Sequence, residues 1–498
     1  MKDKLNNIIF SNGFNYEKDG VSIYIKLYNA IANAIFNKKL PNNYKLPPTR
    51  ILATDLKLSR STVLKAYEIL CLEKHICSIQ GSGYYVNDVK PERAVLDLKK
   101  SPKSDFSLPV SKRARQFRKN VHIMNRGEHK GIAFRPGLPP LDIFPVRQWQ
   151  SLTNKYWKDI TLSDLSYHHS LGLDDLKKNI VTYLNVYRNI QCSHQQVVIV
   201  TGSLHSLSII GDLFLDKNDE VILENPTYAN AIALFKSLNA TIVPVNIDKE
   251  GLSIASLDNV RLKKPKLIYT TPSNQYPTGI QMSLNRRLEI LDWATKNNSL
   301  IIEDDYDHEF SNWNNPITSI FGLDKGNRVI YQGTFNKLLH PSIRLGYLIV
   351  PEIYVNDIRA MYEQTLRFIS PVTQQVMSDF IEKDYFSQHL RNVIQISNER
   401  RSYFINCFKK IFTDEIELLP VTNGLHIIVK LPEHINDVKF SKILGQNGIV
   451  VFPYSKYFFG EEKGNGLLIG FSSVSESVIK RKLKKMYRIL AMYKLSKI

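Results

Sequence analysis

The stretch "GTFNKLLHPSIRLGY", residues 333–347, holds a single lysine, Lys337. Thr334 lies three places before it and Arg344 seven places after it. The stretch opens at the end of an apolar run, "VIYQG" (329–333). Upstream, "LIIEDDYDHEF" (300–310) ends another such run in a cluster of acids. Short apolar runs bounded by polar turns predict buried strands. Both clusters therefore fall just beyond strand ends, where the sites of α/β sheets gather.

Working outward, "VVIV" (197–200), "VIL" (221–223), "TIVPV" (241–245), "KLIYT" (266–270) and "GYLIV" (346–350) are further predicted strands. Helix-like segments separate most of them, which predicts an α/β sheet with covering helices. Beyond about residue 365, "LHIIVK", "IVVFP" and "LLIGF" lie among further helices and predict a smaller α+β part. The expected division is a unit over 132–498, with a large part at about 150–360 and a small part at about 365–498.

A lysine can form a Schiff base with an aldehyde, and pyridoxal phosphate (PLP) is such an aldehyde. Its pyridine nitrogen needs an anion, which Asp304 can supply. Its phenolic oxygen needs a donor, and Tyr306 is two residues on. Its phosphate needs amides, a hydroxyl and a fixed cation. "TGSLHS" (201–206) starts a predicted helix, whose free amides suit a phosphate; Thr334 and Arg344 add the hydroxyl and a fork of donors. Tyr228 in "ENPTY" can cover a ring. Taken singly, these could be a surface lysine, a solvated charge run and a packing aromatic. Together, in this order and at strand ends, they point to a PLP site.

The chain has 498 residues and is 43% hydrophobic, enough for several cores. Its four cysteines form no CxxC pair, which indicates neither a disulfide framework nor a zinc site. No apolar run reaches the roughly 18 residues of a membrane span. "MKDKLNNIIFSNGF" carries no secretory leader pattern, so a cytoplasmic protein without a membrane partner is expected. The net charge of +19 is uneven: residues 1–131 hold 24 Lys and Arg against 11 Asp and Glu, and the rest hold 42 against 36. Such asymmetry suggests a polyanion partner, or else a solvated basic surface.

Residues 20–88 read as helix, short helix, helix and glycine-tipped hairpin. "SIYIKLYNAIANAIFNKK" repeats apolar residues at Ile23, Leu27, Ile31 and Ile35. "PTRILATDLKL" is short and apolar. "SRSTVLKAYEILCLEK" places Val63, Tyr67 and Leu70 on one face, with Ser59 as N-cap. "HICSIQGSGYYVND" reads as two strands around Gly81-Ser82-Gly83. This is a winged helix-turn-helix, whose third helix enters the major groove by its N-terminal end. Arg60, Ser61 and Thr62 stand there, and Arg50 is placed for a phosphate. "KLPPTRILATDLKLSRSTVLKAYEIL" and "GSGYYV" resemble the DNA-binding domain of the GntR superfamily. The resemblance implies that Arg50, Ser59, Arg60, Ser61, Thr62, Ser82 and Gly83 line a double-stranded DNA operator site. Residues 89–131 lose periodicity and read as a basic linker, in contact with protein through Phe106 and Phe117 or simply flexible. Its Lys112, Arg113, Arg115, Arg118 and Lys119 could meet phosphates.

Residues 132–498 resemble the fold type I, PLP-dependent aminotransferases. With the N-terminal domain and linker they resemble the MocR/GabR family of regulators, through "FRPGLPPLDIFP", "EDDYDHEF" and "GTFNKLLHPSIRLGY". That resemblance implies a homodimer with Lys337 as the Schiff-base lysine and Asp304 at the pyridine nitrogen. It places Tyr306 at the phenolic oxygen and Tyr228 on the ring. Ser203, Leu204, Thr334 and Arg344 would hold phosphate, and Tyr167 would reach the partner's cofactor. The family's asparagine before "PTG" is here Tyr276, with Asn274 close by, and Asn336 precedes the lysine. No arginine stands in "KGNGLLIGFSSVSES" or in "PTYANAI", where Asn230 replaces one that binds a substrate carboxylate. The expected function is a PLP-dependent transcriptional regulator sensing PLP, an amine or an amino acid. The alternatives are an active aminotransferase with a DNA-binding accessory, and a dimerisation scaffold.

Overall fold

The computed structural model describes residues 2–17, 20–88, 108–124, 131–263, 265–311, 317–413, 416–420 and 424–495. The chain forms two compact units, Met1–Leu108 and Pro109–Ile498. Phe106 and the first part of the expected linker lie outside the described residues.

The first unit holds helices α1 (Lys2–Ser11), α2 (Ile23–Phe36), α3 (Thr49–Asp55) and α4 (Arg60–Leu72), with strands β1 (Lys45–Leu46), β2 (Ile76–Ile79) and β3 (Gly83–Val86). The strands form one antiparallel sheet in the order β1-β3-β2. The four-residue recurrence lands as expected: Leu27, Ile31 and Ile35 of α2 are buried, and so are Val63, Tyr67 and Leu70 of α4. Each large apolar side chain buried this fully contributes roughly 1.5–3 kcal/mol. Leu52 and Leu56 join this core, but Ile51 turns outward and is 43% exposed. The sequence opens this unit at residue 20, yet α1 packs Leu5 and Ile9 into the same core. Two apolar positions one turn apart are too short a pattern to announce a helix.

The second unit opens with α5 (Lys112–Asn120). This stretch, read as part of a tether, is a helix capped by Ser111, whose Oγ accepts the Ala114 amide at 3.1 Å. Next come α6 (Val146–Asp159), α7 (Asp174–Arg188), β4 (Val197–Val200), α8 (Ser203–Phe214), β5 (Glu220–Asn225), α9 (Ala229–Ser237), β6 (Thr241–Asp248), β7 (Gly251–Leu252) and α10 (Ile254–Asp258). Then follow β8 (Pro265–Thr270), α11 (Leu284–Lys296), β9 (Leu300–Asp304), α12 (Ile320–Leu323), β10 (Val329–Thr334) and β11 (Gly346–Ile349). The sheet runs β4-β11-β10-β9-β8-β5-β6-β7. Neighbours β6, β5, β8, β9 and β10 run parallel, and β11 runs against both β10 and β4. Their carboxyl ends thus share one edge, and the loops after β5, β8, β9 and β10 carry Tyr228, Asn274, Asp304–Asp307 and Lys337. Strands β4, β10 and β11 are buried throughout, which is why they read as largely apolar runs.

Helices α13 (Val355–Thr365), α14 (Pro371–Glu382) and α15 (Tyr385–Phe412) lead to β12 (Glu417–Leu418), β13 (His426–Lys430), α16 (Asp437–Gln446), β14 (Phe452–Pro453), β15 (Gly466–Gly470) and α17 (Glu476–Leu495). These strands form a second, antiparallel sheet, β12-β13-β15-β14. Phe404, Phe408, Phe412, Leu467, Ile469 and Leu483 build its own core.

Candidate functional site

Lys337 emerges one turn past β10, and its Nζ donates to the Gly137 carbonyl at 3.2 Å. Gly137 has φ +74°, and a Cβ there would come 2.2 Å from that Nζ. A side chain there would be strained by that φ and would have to displace the Lys337 amine, which gives "FRPG" a physical reason. The Lys337 Nζ also sits 5.8 Å from the Tyr306 ring centre. Burial lowers the lysine's pKa, while Asp307 and Asp304 oppose that shift.

The acids of "EDDYDHE" divide by partner. Glu303 accepts the Ile320 and Phe321 amides at 3.0 and 2.8 Å and lies 3.5 Å from Arg287. Asp305 pairs with Arg188 at 2.8 Å and accepts the Tyr331 hydroxyl at 2.6 Å. Burial works against that charge, yet Arg188 and His308 hold Asp305 down to about 2. Glu309 accepts the Tyr183 hydroxyl, and burial pushes it up to about 8. These three fasten the loop. Asp304 accepts the Tyr269 hydroxyl at 2.7 Å through Oδ2, while its buried Oδ1, with Gln332 nearby, meets no well-formed hydrogen bond among the described residues. Burial raises Asp304 to about 6. Asp307 accepts an Asn274 N–H at 2.8 Å, and burial raises it to about 7.

Tyrosines wall the site. Tyr276 lies edge-on to Tyr306 at 5.6 Å, to Tyr228 at 5.9 Å and to Tyr457 at 5.4 Å. The Tyr228 hydroxyl accepts the Asn230 side-chain N–H at 2.8 Å, so Asn230 orients the ring. Tyr306 donates to the Asn274 carbonyl at 3.1 Å. Asn274 was expected at the cofactor, but the structure commits both of its N–H donors to Asp307, at 2.8 and 3.1 Å. Only its Oδ1 is left over.

Ser203 and Leu204 open α8, and the first amides of a helix have no carbonyl one turn back. The N-cap, Gly202, has φ +114° and no side chain to cap them. A Cβ there would meet Asn336 Nδ2 at 3.3 Å and Arg344 Nη1 at 3.4 Å. Arg344 is therefore beside the α8 end. Thr334 Oγ1 accepts the Asn336 amide at 3.2 Å. Tyr167 stands 75% exposed, under the Arg367 guanidinium at 4.7 Å and edge-on to Phe368. It lines an open cavity of about 970 Å³ with His168, His194, Arg359 and Glu363; Lys337 is not among the lining residues. Gly137, Asp307 and His426 escaped the sequence reading as site residues. Asp307 lay inside a quoted motif, but only tertiary pairing separates it from its neighbours.

In the first unit, Ser59 Oγ accepts the Thr62 amide at 3.1 Å and lies 2.8 and 2.7 Å from the Ser61 and Thr62 hydroxyls. Arg50, Arg60 and Ser61 are exposed. Ser82 Oγ lies 2.6 Å from the Tyr85 hydroxyl. Gly83 has φ +120° at the hairpin tip. Among the described residues no helix is long and apolar enough to cross a membrane.

The model of the family Aminotransferase class I and II matches residues 151–481. Over 460 residues the chain is 29% identical to the probable rhizopine catabolism regulatory protein MocR of Rhizobium meliloti, covering 92% of each. An archaeal alanine:glyoxylate aminotransferase superposes with a TM-score of 0.66 at 25% identity, covering 76% of this chain and 96% of that one. The α-aminoadipate aminotransferase LysN of Thermus thermophilus gives 0.70 at 20% identity, over 78% and 98%. The cofactor of this fold is PLP, and the residues fit it. An uncapped helix start lies beside an arginine, and among the described residues a buried carboxylate oxygen meets no well-formed hydrogen bond and a lysine amine hydrogen-bonds to a carbonyl alone. With its lysine, carboxylate and open helix end in this order around one sheet edge, the chain belongs to the aminotransferase class I and II family, laid out along its length as the MocR-type regulators are.

Proposed function

We propose that the protein is a transcriptional regulator that binds an operator through its first unit and reads a small molecule through PLP held in its second. One observation carries this. The regulator matches 92% of the chain, whereas the two enzyme structures match 76% and 78%. Bound PLP supplies an aldehyde and an electron-withdrawing ring. The residues would then divide the work of holding it. Lys337 is the amine that bonds it, Asp304 faces its ring nitrogen, Tyr306 its phenolic oxygen, and Tyr228 its face. The Ser203 and Leu204 amides, Thr334 and Arg344 hold its phosphate. Operator contacts fall to Arg60 and Ser61 for bases, and to Arg50, Thr62 and the Ser82-Gly83 wing for the backbone. Ser59 serves as the cap that fixes that turn.

A route from ligand to linker is supported within the second unit. Helix α5 packs on α9, where Asn120 Nδ2 donates to Ser237 Oγ at 3.2 Å. Its Arg113 pairs with Asp212 of α8. Both α8 and α9 begin in the site, at Ser203 and just past Tyr228. A homodimer, with Tyr167 offered to the partner's site, completes the proposal. Turnover is expected to be at most trace, because neither β15 nor the start of α9 offers an arginine to orient a carboxylate.

The test is selection of bound duplexes from a random DNA pool by the purified full chain, with and without PLP. One recurrent site, lost on Arg60→Ala, is the expected result. A pool left unenriched would falsify the regulator reading.

A further inference from the structure

We propose that the compound read beside Lys337 is a cationic diamine, and that Asp307 selects it by binding its second ammonium. The inference rests on the site assigned above. Glu303, Asp305 and Glu309 are each engaged by partners that hold the loop, and Asp304 is assigned to the cofactor ring. That leaves Asp307, 2% exposed, with no ion pair among the described residues. Its Oδ1 accepts Asn274, while its Oδ2 accepts no hydrogen bond among the described residues. Gly424 backs that oxygen so closely that a Cβ there would come 3.1 Å from it. Lys337 is a cation whose charge reaches Asp307.

Two neighbouring groups point the same way. Asn274 is 1% exposed, and both its N–H donors go to Asp307; its Oδ1, which has no hydrogen bond among the described residues, can only accept. His426 is 2% exposed, and its ring lies 5.4 Å from Tyr276. Its Nε2 is 2.7 Å from the Pro277 carbonyl, which can only accept. Nε2 therefore carries the proton, and Nδ1 is a lone pair with no hydrogen bond among the described residues. The charge of Lys337 reaches this ring too. Arg401, whose charge also reaches it, already has a partner, and so does Arg135 beside β15. The buried groups around Tyr276 and Tyr306 are thus acceptors: a carboxylate, an amide oxygen and an imidazole lone pair. An ammonium group can donate three hydrogen bonds and neutralise the buried charge. A carboxylate placed there would meet like charge and lone pairs, which repels it.

Calorimetric titration of the PLP-loaded full chain with four probes tests this: 1,4-diaminobutane, n-butylamine, 4-aminobutanoate and alanine. The diamine is expected to bind at least about 10-fold tighter than n-butylamine, the equivalent of roughly 1.4 kcal/mol. Both carboxylates should bind more weakly still. Asp307→Asn should shrink the diamine's advantage over n-butylamine to about 3-fold or less. The ranking in the unaltered protein decides the matter even if that variant fails to fold. Tighter binding of 4-aminobutanoate or alanine than of the diamine overturns the proposal. A chain that selects a DNA site yet prefers a carboxylate overturns this inference alone. One that prefers the diamine yet selects no DNA overturns the regulator reading alone.

Discussion

At the start of α4 the N-cap is Ser59, whose Oγ accepts the Thr62 amide at 3.1 Å; at the start of α8 the N-cap is Gly202, which has no side chain to offer. Both helix ends face an anion in the function proposed here. At α4 one amide is already satisfied within the chain, so recognition falls to exposed side chains, above all Arg60. Side chains can read bases, and a long DNA surface needs reach. At α8 the amides stay open and the glycine lets the anion come close, with Arg344 beside them. A small phosphate needs a tight cradle and no sequence discrimination. The same backbone dipole is therefore put to two uses, and the residue at the cap decides which.

The comparison breaks most completely at the α8 end. Lys337→Ala should abolish the borohydride-reducible bond to PLP and its visible-edge absorbance. A retained reducible adduct would move the assignment to another lysine. Gly202→Val would force a side chain into left-handed φ and against Arg344 and Asn336. Such strain costs on the order of 1–3 kcal/mol, so PLP affinity should fall about 10- to 100-fold. Neither change should alter the binding of nonspecific DNA.

Stability with pH sharpens the contrast between the units. Burial raises Asp307 to about 7 and Glu309 to about 8, so the folded, cofactor-free second unit keeps protons that an unfolded chain has already lost. Stability carried by a raised pKa is present at low pH and lost as pH rises through the folded value. His308 and His426, held down to about 4 by burial, act oppositely, but only below about 6.5. Between pH 6.5 and 8 the second unit should therefore lose on the order of 2 kcal/mol, and Asp307→Asn should flatten the slope. Denaturant titrations followed by hydrogen exchange in each unit would show it. A slope of the opposite sign would remove these carboxyls from the account.

Arg60→Ala comes next. A lost bidentate base contact costs about 1–3 kcal/mol of specific binding, whereas Arg50→Ala should weaken all sequences alike and reduce the salt slope by about 1. Titrations at several salt concentrations separate the two. An unchanged specificity ratio for Arg60→Ala would remove it from base readout.

The strands around Lys337 were legible because a strand buried on both faces is mostly apolar, as "VVIV" is throughout and "VIYQG" is apart from Gln332. Lys337, Asp304 and Tyr306 could be singled out because they lie at the ends of such runs or within four residues beyond them. Helix α5 was not, because its apolar anchor is slight and its hold on α9 passes through Asn120 and Ser237, 117 positions apart. Nor were the distinct roles of the five acids, since partners such as Arg188, Arg287 and Tyr183 lie far away in sequence. The partner of Asn274 was hidden for the same reason: only the fold shows Asp307 taking both of its N–H groups.

The finest test separates the two roles that Ser59 combines, holding the turn and facing DNA. Ser59→Ala removes the oxygen that accepts the Thr62 amide, which costs about 0.5–2 kcal/mol of stability. Ser59→Asp keeps an accepting oxygen, because aspartate caps about as well as serine and its charge suits the helix dipole. The first unit should then melt within a few tenths of a kcal/mol of the original. The same carboxylate, however, stands in the turn that meets the DNA backbone, where phosphate charge repels it. Ser59→Asp should thus stay folded and lose DNA affinity, while Ser59→Ala should lose stability and keep most of its affinity below its melting point. If Ser59→Asp bound operator as well as the original chain, the first turn of α4 would not face DNA, and the contrast with α8 would lose one of its two terms.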